Sequence, residues 1–358
     1  MERPADTTVL APHSDGSAGF LSVFDGVTEL FTVTSEEEGR PIPVLRSPSE
    51  GNPWQKVYLH SDPFLGPDAA TATTFRRRDS SQLAEVFLTA VHNGAQSIVI
   101  GAGHTPWHDA GAGFLWRLAQ EHGMLPQRER MRESDGRINP DLAKLVAPLA
   151  RHLQGVTVVV ASSREVPLRG LHGAGAELAQ FHNVTPQQAQ EIEALTQPFV
   201  DAVDREIESN ALPGLLETTV QRASRQPWLG SGGGVAFILS ALGAQVRPGA
   251  WVTGSELQLD QALKDVDVVV TGAHTIAGEE LGEGVVADVA QRASLLAIPV
   301  IVVGGQVDAS RRQLFKVGIH AAYPVTDTPA SRPQLVADAV SEQALIERGR
   351  RLARTWSR

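Results

Sequence analysis

Residues 266–305 form one continuous segment, VDVVVTGAHTIAGEELGEGVVADVAQRASLLAIPVIVVGG, with the pattern of a strand–helix–strand unit. It opens on a β-branched run, passes through a polar turn, and continues with apolar positions three and four apart from Leu281 to Leu296. It closes on a second apolar run, IPVIVVGG at 298–305. Strands covered on both faces read as continuous apolar runs, and the helices that cover them show a period near 3.6. A further run, HAAYPV at 320–325, and a helical pattern over Gln334–Thr355 extend the alternation. From Val266 onward the chain therefore reads as a Rossmann-like or flavodoxin-like unit with a parallel sheet.

The same alternation continues toward the N-terminus. TTVLA at 7–11, QSIVIG at 96–101 and VTVVVA at 156–161 are strand candidates, and Ser80–Asn93 and Thr185–Glu208 carry helical periodicity. Residues 35–80 differ, being rich in Pro, Ser, Glu and Arg with weak periodicity, and read as surface loops with an edge hairpin.

At 358 residues the chain is long enough for two domains, and 42% hydrophobic with 20% charged residues is an ordinary globular composition. A formal charge of -10 argues against general attraction to nucleic acid or to an anionic membrane, which need a basic face, and leaves a small-molecule substrate compatible. There is no cysteine, so disulfides, thiolate catalysis and Cys-based zinc sites are excluded. No apolar run approaches the roughly 18 residues of a membrane span, and Met1-Glu2-Arg3-Pro4 opens onto nothing like a signal-peptide core, so cytoplasmic residence is expected. Only four lysines occur (Lys56, Lys144, Lys264, Lys316), so bound phosphate would have to rely on arginine.

Three segments carry candidate chemistry. In IVIGAGHTPWHDAGAGFLWRLAQEHG, 98–123, a strand ends in small residues and a polar turn leads into a helix, the position where open α/β sheets bind ligands. Gly101, Gly103, Gly111 and Gly113 allow close backbone approach, and Asp109 either caps the helix or binds a hydroxyl or cation. His104 and His108 stand four apart, a metal-binding spacing on a helix, but Pro106 between them argues for loop histidines. In WLGSGGGVAFILSALGAQVRPG, 228–249, Gly230 and Gly232–Gly234 precede an apolar helix, an arrangement that either binds phosphate or carboxylate or serves close packing. In residues 268–290 a buried strand again leads through a polar loop, and Glu279, Glu280 and Glu283 suit a helix start.

The order of these segments resembles that of the type 1 glycerate kinases, over most of the chain beyond about residue 69. GAGHTPWHDAGAG at 101–113 is similar to the family's G-I-G-G-S-A-T-N-D-G-G-A-G, with Asp109, Gly111, Ala112 and Gly113 on the pattern. VPLRGLHGAGAELAQFHNVTPQQ at 166–188, GGVAFILSALGAQVRPG up to Gly249, and LKDVDVVVTGAHTIAGEELGEGVV from Leu263 follow the family's next three motifs in order. The polar positions depart from it: His13 stands for an acid near APHSDGS, His108 for an asparagine, and Ala273, His274, Thr275 and Ala277 where the family has T-G-E-G-R-I-D.

The resemblance implies ATP-dependent phosphorylation of D-glycerate or a related small hydroxy acid, with ATP and Mg²⁺ required. It implies two α/β domains, a flavodoxin-like one from residues 1–65 plus 262–358 and an inserted one from 66–261, with the site in the cleft between them. Asp109, His108 and His274 are then the catalytic candidates. Ser14, Gly101, Gly103, His104, Gly111, Gly232, Gly233, Thr271 and Gly272 are the binding candidates, with Arg164 or Arg247 as charge partners. The replaced histidines (His13, His108, His274) would have to converge to form another polar arrangement. A catalytically impaired relative that binds a nucleotide or small acid, and a His/Asp metal hydrolase on His104, His108 and Asp109, are the alternatives.

Overall fold

The computed structural model describes residues 6–26, 28–34, 41–47, 51–64, 71–125, 130–181, 184–210, 222–278, 281–325 and 341–356. Glu279, Glu280 and the first part of the helical pattern over 334–355 lie outside the described residues. The chain is mixed α/β and divides into two units, one of residues 14–252 and one of residues 1–13 with 253–358. Residues 14–65, assigned from sequence to the unit containing the C-terminal third, belong to the larger unit. No helix among the described residues is long and apolar enough to cross a membrane.

The larger unit holds a six-stranded sheet whose strands lie in chain order: β1 (Glu29–Thr34), β2 (Pro41–Arg46), β3 (Lys56–His60), β4 (Ser97–Ala102), β5 (Thr157–Ser162) and β6 (Gln245–Pro248). β1, β2 and β3 pair antiparallel, and β3 to β6 are parallel. Within residues 35–80 the antiparallel pair is β2 with β3, and it is not an edge, because β1 flanks β2 and β3 runs parallel beside β4. β3 escaped the sequence pattern because it is only five residues long.

Register aligns His60 with Gly101, Gly101 with Ala161, and Ser162 with Pro248, so the carboxyl ends of the four parallel strands finish side by side. Loops leaving that edge have room to build a site. Ile98, Ile100, Val160, Phe87, Phe114, Phe199 and Phe237 are buried together in the main core and fix the sheet under its helices. Full burial of one such side chain is worth roughly 1.5–3 kcal/mol.

The smaller unit carries a three-stranded parallel sheet, β7 (Val269–Ile276), β8 (Val300–Val307) and β9 (Ile319–Pro324). Helix Val285–Leu295 follows β7 and packs on it, as the apolar periodicity predicts. TTVLA at 7–11 forms no strand, a correction to its β-branched reading, and Val9 and Leu10 stand exposed. His13 ends this segment with Nε2 3.0 Å from Asp288 Oδ2, and Asp288 also accepts from Arg292 Nε at 2.8 Å. Arg292 reaches on to both oxygens of Asp260 at 2.9 Å. Burial alone would raise the Asp288 carboxyl, but the hydrogen bonds from His13 and Arg292 hold it below the usual carboxylate range.

Candidate functional site

The loop after β4 is held by Asp109, which is completely buried. Its Oδ2 accepts from Ser80 N–H at 2.9 Å, Ser80 Oγ at 2.8 Å and Gly113 N–H at 2.8 Å, and its Oδ1 accepts from Gly111 N–H at 3.1 Å. Ser80 Oγ in turn accepts from Phe114 N–H at 2.8 Å. One carboxylate therefore satisfies backbone donors at the starts of two helices, Ser81–His92 and Ala112–Glu121, which have no partner within their own first turns. Gly113 permits this approach, because a Cβ there would lie 2.6 Å from Asp79 Oδ1 and 2.8 Å from Ser80 N. Burial, and after it the nearby Asp79, push the Asp109 carboxyl above the usual range.

Held in this way, residues 103–108 form one wall of a cavity of about 60 Å³ at the carboxyl ends of the parallel strands. Gly103, His104, Thr105, Trp107 and His108 line it from this loop, Ser163, Arg164 and Glu177 from the segment after β5, and Gly230–Gly233 from the glycine-rich turn. Gly232, Gly233 and Gly234 have φ of 64°, 65° and 92°, a left-handed run that side chains resist. Trp107 Nε1 donates to the Gly232 carbonyl at 3.0 Å, and Ala110 N–H donates to the Gly233 carbonyl at 3.1 Å, tying the two walls together. Among the described residues, neither the Gly232 nor the Gly233 N–H has a hydrogen-bond acceptor. Consecutive left-handed residues with outward N–H groups make concavities suited to anions.

His108 is only 3% exposed, and its Nε2 has no hydrogen-bond partner. Burial pushes it down to about 4, so it is neutral at pH 7. His104 stands at the rim, held below the usual histidine range by desolvation and then by the Arg164 guanidinium, with Asp15 opposing. Arg164 pairs with Glu177 at 2.9 Å. Arg247 is exposed on β6 and does not line this cavity.

Of the residues expected from sequence, Gly103, His104, His108, Gly232 and Gly233 share this cavity. Gly101 lies on β4 opposite His60, Gly111 starts helix Ala112–Glu121, and Ser14 Oγ accepts from Gly16 N–H at 3.2 Å. Thr271, Gly272 and His274 lie on β7 in the smaller unit, where Gly272 and His274 are exposed. Within the smaller unit His13 Nε2 meets Asp288 Oδ2 and His274 lies exposed on β7; within the larger unit His108 is buried in the cavity wall. Among the described residues, no group of three His, Asp or Glu side chains is placed to hold a metal.

Sequence reasoning missed a second cluster beside the cavity, at the end of β3. His60 Nε2 lies 3.3 Å from Asp62 Oδ1, and Asp62 Oδ1 sits 2.6 Å from where a Cβ on Gly103 would be. Burial pushes His60 down to about 4, and His104 adds to this against a hydrogen bond to the Gly16 backbone. Burial, with Asp15 next, pushes Asp62 up to about 7, opposed by the His104 N–H. The available signal was KVYLHSDPF at 56–64, in which a short apolar run leads directly to polar residues.

The profile of the Glycerate kinase family matches residues 2–357. An uncharacterised protein of Mycobacterium bovis is 27% identical over 348 residues, covering 95% of this chain and 81% of that protein. A glycerate kinase of Bacillus cereus is 22% identical over 273 residues, 76% of this chain and 68% of its own length. One from Haemophilus influenzae is 25% identical over 271 residues, 75% of this chain and 68% of its own. A solved structure described as a "putative glycerate kinase 2" from Salmonella typhimurium LT2 matches with a TM-score of 0.64 at 20% identity, covering 99% of this chain and 91% of the other, which is a likeness of fold.

Proposed function

The chain belongs to the glycerate kinase family, and on that premise we propose that it is an ATP-dependent kinase acting on D-glycerate or a related small hydroxy acid. The observation that carries this reading is the meeting of Gly103, His104, His108, Gly232 and Gly233 in one cavity at the carboxyl ends of the parallel strands. Three of its features suit an anion: the Gly232 and Gly233 N–H groups and the Arg164 guanidinium. A carboxylate or a phosphate oxygen fits that donor set. Phosphoryl transfer asks a protein chiefly to position its reactants and to neutralise charge, and these groups do both.

The expected ATP and Mg²⁺ are compatible with the residues present. Mg²⁺ keeps several waters and would be held here chiefly through the phosphates it accompanies, since Asp109 and Glu177 beside the cavity already face other partners. Arg164 supplies positive charge where lysine is scarce. Asp109 acts in this reading by fixing the 103–113 loop, since its oxygens already face backbone donors. Release of ADP from ATP and Mg²⁺, measured over a panel of small hydroxy acids, tests the proposal. Calorimetric binding of an acid without ADP release would instead mark a sensor.

A further inference from the structure

Most carboxylates near the cavity are already committed. Asp109 faces backbone N–H groups, Glu177 pairs with Arg164, and Asp15 Oδ1 accepts from Ser17 N–H at 2.9 Å and Ser17 Oγ at 2.5 Å. Asp62 differs. Its Oδ1 is enclosed without a hydrogen-bond partner, while its side chain as a whole remains 19% exposed.

The facing atom is equally unsatisfied. His60 is 5% exposed, its Nε2 has no hydrogen-bond partner, and it stands 3.3 Å from that oxygen. Its ring also engages the Gly16 backbone, which commits a donor and leaves Nε2 as the acceptor. An ionised carboxylate and a neutral imidazole nitrogen present lone pairs to one another. The two atoms stand 3.3 Å apart without a hydrogen bond, and two buried unsatisfied polar atoms are costly.

We propose that Asp62, backed by His60, accepts the proton of the substrate hydroxyl that attacks the transferred phosphoryl group, an assignment that rests on the kinase reading above. Asp62 follows β3 directly, and its Oδ1 lies against Gly103, which lines the cavity. In the step, the substrate O–H bond breaks as its oxygen bonds to the γ-phosphorus. The bond from that phosphorus to the bridging oxygen breaks, its electron pair leaving with ADP. The proton moves to the Asp62 carboxylate beside His60 and returns to water after product leaves.

The groups that set this proton's energy are Asp15 and burial, which favour it on Asp62, and the His104 N–H, which disfavours it. His60 is in turn disfavoured as a cation by burial and by His104. A base whose proton affinity lies near working pH is the efficient kind.

The test compares the full-length protein with its Asp62→Asn and Asp62→Glu variants in steady-state ADP release, calorimetric binding of D-glycerate, and carbon-detected NMR titration of the Asp62 carboxyl. The expected result is kcat lowered about 10²–10⁴-fold in Asp62→Asn. D-Glycerate binding should change less than about threefold, Asp62→Glu should recover part of kcat, and the wild-type carboxyl should titrate near 7. If the wild type turns over and Asp62→Asn keeps kcat within about tenfold of it, the assignment falls while the kinase reading stands. A wild-type carboxyl titrating in the ordinary range near 4 also overturns it, and does so even if the variants fail to fold. A wild type without turnover on any hydroxy acid overturns both.

Discussion

Asp109 Oδ2 lies 2.8 Å from Ser80 Oγ, 29 residues earlier in the chain, and this contact joins the starts of two helices beneath the cavity wall. Removing the carboxylate strands several buried backbone donors at once. Asp109→Ala should therefore cost about 3–5 kcal/mol in urea unfolding, and Ser80→Ala about 1–2 kcal/mol, with the double variant less than additive. Additive costs would show that the two side chains do not act as one tie.

Gly233 has φ 65°, and a Cβ there would lie 2.2 Å from the Trp107 carbonyl oxygen. Gly233→Ala should destabilise the chain by more than the ~1 kcal/mol typical of a glycine to alanine change and should weaken anion binding at least tenfold. Calorimetry with D-glycerate and ATP, alongside thermal unfolding, checks both effects.

Arg164 is the arginine that lines the cavity. Arg164→Ala should weaken binding of the anionic ligand by roughly 10- to 100-fold, and Arg164→Lys should recover only part, because an ammonium lacks the planar fork. Arg247→Ala, at an exposed position on β6, should leave binding within about twofold in the same calorimetric titration.

His108 and Asp62 should tilt stability against pH in opposite directions. His108 lies at about 4 in the folded chain against 6.5 unfolded, so its contribution is complete above about 6.5 and is lost as pH falls toward 4. Asp62 lies at about 7 folded against 3.8 unfolded, so its contribution is complete at low pH and is lost as pH rises to about 7. Relative to wild type, His108→Gln should therefore gain as pH falls and Asp62→Asn as pH rises, each by on the order of 1–3 kcal/mol over the window. Denaturant midpoints of both variants and wild type at pH 4.5 and 7.5 measure the two tilts.

The parallel strands β4, β5 and β8 were legible because their apolar residues run over several consecutive positions and are largely buried, whereas β7, read as a buried strand from the same kind of run, alternates half-buried and exposed residues with only Ile276 buried. β1 could not be read in the same way: along ELFTVT only Val33 is buried, so an edge strand exposes most of its apolar side chains. TTVLA at 7–11 shows the converse, since β-branched composition alone does not bury a segment.

The site divides along the same line. His104, His108, Gly232 and Gly233 were visible because they follow a recognisable strand end or glycine run. His60 and Asp62 were not, because the short β3 gave no strand end to reason from. Asp109 drew attention as an acid in a glycine loop, but its role depends on Ser80, a partner that no local spacing reveals.

If the cavity beside Gly233 serves phosphoryl transfer to a small hydroxy acid, as proposed, turnover must depend on that acid and on the cavity's arginine. Coupled-assay measurement of ADP release by the full-length protein with ATP, Mg²⁺ and D-glycerate tests that dependence most directly, with Arg164→Ala run in parallel. Release should depend on the added hydroxy acid, saturate with it, and fall at least tenfold in the variant. Release that is indifferent to any hydroxy acid in the panel, or equal in the variant, would contradict the proposal.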